Sequence, residues 1–148
     1  MIIQCKDMDF VKEFMTLPEV WRYCAEHGTN SGTVEFSCDD KECWLRWNDY
    51  GLINLHILTG AMVTVHPYIL REFKDDFGAM LNEFLQWFLV NVPDQIQKIN
   101  VPVPIFCIGA IQAAFKVGMI VEGVDRMSYL TKNGPVDRVI FGLLRGEI

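Results

Sequence analysis

The strongest constraint in this sequence is an apolar stripe. Phe77, Leu81, Phe84, Leu85, Phe88, Leu89 and Val92 follow one another at helical spacing, which puts them on one face of an α-helix of about four turns. Pro93 ends that helix because it has no N–H to give, and Asp75 or Asp76 is placed to cap its start. On either side the pattern is that of strands. Residues 43–47, 52–58 and 61–66 are joined by the turn signals Asn48-Asp49-Tyr50-Gly51 and Thr59-Gly60, and read as an antiparallel meander that Pro67 brings to an end. Residues 99–103 form a further short strand in which Pro102 implies a bulge or a splayed edge. A helix between a meander and a later strand allows one parallel crossover. The expected class is therefore α/β (α+β), with helices on a mixed, mostly antiparallel sheet.

The remaining segments fit that frame. Residues 2–5 read as a strand, followed by a helix through Phe10, Val11 and Phe14 that Asp7 or Asp9 can cap. Pro18 opens a second short helix and Gly28 supplies its stop. Residues 34–38 alternate as a strand would. A helix over 106–117, rich in Gly and Ala and closed by Gly118, precedes a hairpin of residues 119–130 and 136–145. Asn133-Gly134 accepts the positive φ values its turn demands. A chain of 148 residues without repeats or linkers is expected to form one domain over 1–148.

Charge and cysteine usage exclude several functions. The net charge is −6, and no basic run offers the clustered cations that bind nucleic acid or anionic membranes. The apolar stretches are shorter than the ~20 residues of a membrane span, and the first residues lack the pattern of a signal peptide. Cys5, Cys24, Cys38, Cys43 and Cys107 are odd in number and irregularly spaced, so reduced thiols and a cytoplasmic location are expected. Cys38 and Cys43 lack the second ligand pair of a zinc knuckle, so no metal site is expected.

The C-terminal third carries a specific pattern. Ala113-Ala114-Phe115-Lys116-Val117-Gly118-Met119-Ile120-Val121-Glu122-Gly123-Val124 is followed by Arg126, Tyr129, Asn133-Gly134, Asp137 and Phe141-Gly142-Leu143-Leu144. In order and spacing these residues resemble the GNAT superfamily of acyl-CoA-dependent N-acetyltransferases, above all the ribosomal-protein-type members. Met62-Val63-Thr64-Val65-His66-Pro67 is similar to the central strand running into the cofactor loop, and its His-Pro pair resembles small divergent phage members.

The resemblance implies acetyl-CoA as cofactor and direct attack of a primary amine on its thioester. The acceptor would be a small molecule, a protein N-terminus or a lysine. Val63 and Val65 would orient the thioester through their backbone, and Arg71, Lys74, Gly78 and Ala79 would form the pyrophosphate cradle at a helix start. Cys107 stands where the family often has an Asn that reaches the pantetheine, and Ala114 where many members place a Tyr acid. Phe77 replaces a cradle glycine, and Asp75 and Asp76 put two carboxylates beside an anion site. His66, Tyr129 and Glu122 are the acid/base candidates, since imidazole titrates near ~6.5 and the phenol and carboxyl are proton carriers. These departures leave a second reading open. It is a GNAT-fold protein that has lost acetyl-CoA and serves as a binding or virion-associated structural component, with a protein partner or a homodimer as its assembly.

Overall fold

Asp7 Oδ1 accepts the Phe10 N–H at 3.0 Å and starts the first helix, α1 (Met8–Met15). Pro18 occupies the first turn of α2 (Pro18–Cys24), where a missing N–H costs nothing. In the computed structural model, which describes residues 1–148, these helices lie on a sheet built from β1 (Ile2–Cys5), β2 (Glu42–Trp47), β3 (Gly51–Ile57), β4 (Met62–Ile69), β5 (Lys98–Pro104), β6 (Ile120–Thr131) and β7 (Gly134–Leu144). The strand order is β1-β2-β3-β4-β5-β7-β6. β4 and β5 form the parallel pair, and the other neighbours run antiparallel. α3 (Phe77–Asn91) is the expected crossover helix, and α4 (Ile108–Lys116) links β5 to the hairpin of β6 and β7.

The two sheet faces carry separate cores. Met80, Phe84 and Phe88 of α3 pack on Leu45, Ile53, Val65, Val101, Phe141 and Leu143 in a cluster of 20 buried residues. On the other face Val11, Phe14 and Val20 from α1 and α2 pack on Cys5, Trp44 and Leu52. Arg145, just beyond β7, ties the sheet to the far end of α3. Its guanidinium donates to the carbonyls of Leu89, Val92, Pro93 and Ile96 and lies 4.7 Å over the Phe88 ring. It thereby satisfies the carbonyls that a helix C-terminus leaves without partners.

Some sequence expectations are corrected. Residues 34–38 form no strand, because both edges of β2 are already taken by β1 and β3. β4 does not stop at Pro67 but pairs with β3 as far as Ile69 opposite Gly51. Neither Asp75 nor Asp76 caps α3. A 3-10 turn over Arg71–Asp76 runs straight into it, and Asp76 makes no side-chain capping bond.

Candidate functional site

β4 and β5 pair only through Met62, Val63 and Thr64 against Lys98, Ile99 and Asn100. The reason can be read from hydrogen-bond parity. Leu58 N–H donates to Met62 and Leu70 N–H to Tyr50, so the even-numbered residues of β4 bond to β3 and the odd-numbered ones face β5. Arg145 N–H donates to Gln97 and Ile105 N–H to Asp137, so the odd-numbered residues of β5 bond to β7 and the even-numbered ones face β4. Pro67, Pro102 and Pro104 therefore all turn their nitrogens into the β4–β5 seam. Beyond the Thr64–Asn100 pair, the next donors in the ladder would be Pro102, Pro67 and Pro104 in turn. None has an N–H, so the strands diverge while each keeps its other neighbour. This resolves what Pro102 signalled in the sequence and explains why Pro67 sits inside β4.

The divergence opens a cleft of about 1510 Å³. On β4 its lining begins at Val65, one residue beyond Thr64, whose buried Oγ1 has no hydrogen-bond partner. Tyr23, Phe106 and Tyr129 close one side. Phe106 packs on Tyr23 with centroids 6.5 Å apart and on Tyr129 at 5.7 Å, and Tyr129 Oη makes a long bond to Tyr23 O at 3.5 Å. The end of α2 is latched to β6, since His27 N–H donates to Leu130 O and Leu130 N–H to Glu26 Oε1.

His66 and Tyr129 both line this cleft. Burial, with the Arg138 charge adding to it, depresses the His66 pKa to about 4, so its imidazole is neutral at pH 7. Burial pushes Tyr129 up to about 12, and its phenol keeps its proton. Glu122, the third acid/base candidate, is not in the cleft. The bulge between Val121 and Gly123 aims its carboxylate at Lys98, with which it forms an ion pair against Gly142.

The cofactor candidates divide similarly. Val65, Arg71, Lys74, Gly78 and Cys107 line the cleft, whereas Val63 and Ala79 do not. Val63 is sealed in the core within the last paired stretch of β4, and Ala79 is exposed on α3. Burial raises Cys107 to about 11, which leaves it a thiol rather than a thiolate nucleophile. Arg71, Lys74 and Lys116 border the cleft, and none forms an ion pair. Some backbone donors around the expected cradle are filled from within. Arg71 N–H donates to Glu19 Oε2, Phe73 N–H to Leu70 O and Phe77 N–H to Lys74 O. The cleft thus fits a narrow amide-bearing arm at its apex and an anionic group beside free cations, with side chains replacing backbone donors.

Sequence reasoning missed Lys116, Arg138, Cys24 and Glu42. The signal for Glu42 was Asn54, an amide inside the apolar run Leu52-Ile53-Asn54-Leu55, which donates to Glu42 Oε1 at 2.8 Å. No group of three or more His, Cys, Asp or Glu side chains is arranged to hold a metal ion, and no helix is long and apolar enough to cross a membrane.

The arrangement of the whole chain is shared with solved structures. A spermidine N-acetyltransferase from Vibrio cholerae, in complex with CoA and spermine, superposes with a TM-score of 0.78 at 14% identity, over 99% of this chain and 96% of that one. The chain has the GNAT fold. An acetyltransferase of the GNAT family from Streptococcus pneumoniae gives 0.72 at 14% identity over 97% and 98% of the two chains. The ribosomal-protein-S18-alanine N-acetyltransferase of Escherichia coli gives 0.68 at 13% over 97% and 92%. No family model and no curated protein matches the sequence. The GNAT likeness therefore lies in backbone topology.

Proposed function

We propose that this GNAT-fold protein transfers an acetyl group from acetyl-CoA to an amine. The observation that carries the reading is the proline-opened seam, a groove between two strands whose carbonyls have no partner across the sheet. The carbonyls of Val65, Pro67 and Pro102 would accept from the N–H groups of a pantetheine arm, and Arg71, Lys74 and Lys116 would hold the phosphates. Acetyl-CoA, when bound, supplies an activated thioester. Neutral His66 presents a free imidazole nitrogen that can accept a hydrogen bond from an amine. Tyr129 retains a phenolic proton to deliver to a leaving sulfur. Cys107 and Cys24, both held as thiols by burial, favour direct attack over an acyl-enzyme. Two neighbours named as amine acetyltransferases, one for spermidine and one for a ribosomal-protein alanine, agree with an amine acceptor.

Isothermal titration with acetyl-CoA tests the reading. Saturable binding that weakens by about tenfold or more in Arg71→Ala/Lys74→Ala supports it. Heatless mixing at millimolar ligand rejects it. The same result would favour the second reading, a GNAT-fold protein-binding component without cofactor chemistry. The observation behind that alternative is the turn before α3, where the N–H groups of Arg71, Phe73 and Phe77 are already spent on Glu19, Leu70 and Lys74.

A further inference from the structure

A second cavity, of about 340 Å³, lies on the α1–α2 face of the sheet and shares Cys24, Glu26 and Tyr68 with the main cleft. Its walls include Trp21, Phe36, Trp44 and Tyr68. Phe36 meets Trp44 edge-on with centroids 5.6 Å apart, and Trp44 Nε1 donates to Ser37 O at 3.0 Å, so the indole's only donor is spent. Glu42 also lines this cavity, and its carboxylate is fixed by two neutral donors. Asn54 Nδ2 reaches Oε1 at 2.8 Å and Ser37 Oγ reaches Oε2 at 3.0 Å. No cation pairs with Glu42, and His56, its cross-strand neighbour, makes no ion pair with it. Glu26 adds a second carboxylate at the junction with the cleft, bonded only to the Leu130 N–H.

An oriented carboxylate with no cation of its own, walled by aromatic side chains, is the chemistry that recognises an ammonium group. The cavity adjoins the cleft, with Cys24, Glu26 and Tyr68 lining both. We infer that the side cavity holds the distal ammonium of the acceptor against Glu42, and that the acceptor is a diamine rather than a monoamine. This rests on the reading of the main cleft as an amine-acylation site. Selection comes from the second charge. A monoamine that enters the cleft leaves Glu42 unpaired, whereas a diamine neutralises it.

The test uses the unliganded protein, titrated calorimetrically with putrescine and with butylamine, which has the same carbon chain and one amine fewer. Putrescine is expected to bind at least about tenfold more tightly. Glu42→Gln, which keeps shape and hydrogen bonding, is expected to reduce putrescine to the level of butylamine while leaving the melting temperature and acetyl-CoA binding unchanged. Trp21→Ala, at a half-buried wall position, is expected to weaken putrescine binding as well. Equal affinities in the wild type, or a preference that survives Glu42→Gln, overturn the inference. The two readings fail separately. Putrescine selectivity without acetyl-CoA binding rejects acyl transfer but keeps the cation site. Acetylation of butylamine and putrescine with equal kcat/KM keeps acyl transfer and rejects the diamine.

Discussion

His66 shows how one residue links packing to chemistry. Its imidazole is held neutral by burial, with a folded pKa of about 4 against 6.5 when unfolded. Between those values the unfolded chain binds the extra proton, so stability rises with pH across this window and is lost as pH falls through it. From pH 7 to pH 5 the loss attributable to His66 is about 2 kcal/mol. Urea unfolding at both pH values is expected to show that loss in the wild type and most of it abolished in His66→Asn. An equal loss in both proteins would place the acid sensitivity elsewhere. Burial raises the pKa of the Tyr68 phenol and keeps it uncharged beside the cavity.

At the scale of elements, the seam between β4 and β5 depends on three prolines of matching parity. Pro102→Ala/Pro104→Ala restores N–H donors facing the carbonyls of Val65 and Pro67, without disturbing the bonds from β5 to β7. The double variant is expected to extend the ladder, protect the new amides from hydrogen exchange and weaken acetyl-CoA binding by about tenfold or more. New amides that exchange as fast as those of a loop would show that something else holds the strands apart. Much of this was legible in advance. The stripe from Phe77 to Val92 specified α3 and Pro102 signalled the splay, while of Asn133-Gly134 only Gly134 takes a positive φ at the last hairpin. The meaning of Pro67 was not legible, because a proline ends a strand or sits within it according to which neighbour its nitrogen faces. That parity exists only once register is set by strands far apart in sequence. The same holds for residues 34–38, whose alternation suits a strand but for which β2 has no free edge. Glu122 fitted its motif in the sequence, yet a bulge that spacing cannot show turns it towards Lys98.

For the whole molecule, the seam divides the sheet into β1–β4 and β5–β7, joined along the strands by one short run of pairs. Cohesion comes instead from α3, whose Phe84 and Phe88 belong to a core containing Ile53 and Val65 from one half and Val101 and Phe141 from the other. The halves are therefore expected to unfold together. Tryptophan fluorescence, which reports on Trp21 of α2, Trp44 and Trp47 of β2 and Trp87 of α3, and amide exchange in β7 should give one midpoint in denaturant. Phe84→Ala should lower that midpoint for both probes, at a cost of about 3–5 kcal/mol. Separate midpoints would reveal two cooperative units. The open seam has a further consequence for life in a crowded solution. Two parted strands are two extra sheet edges, and bare edges recruit strands from other chains into aggregates. Here an incoming strand finds carbonyls at Pro67, Pro102 and Pro104 but no backbone N–H at those positions, so it cannot complete a reciprocal ladder. The prolines that keep the cleft open for a ligand also make its edges poor templates for self-association.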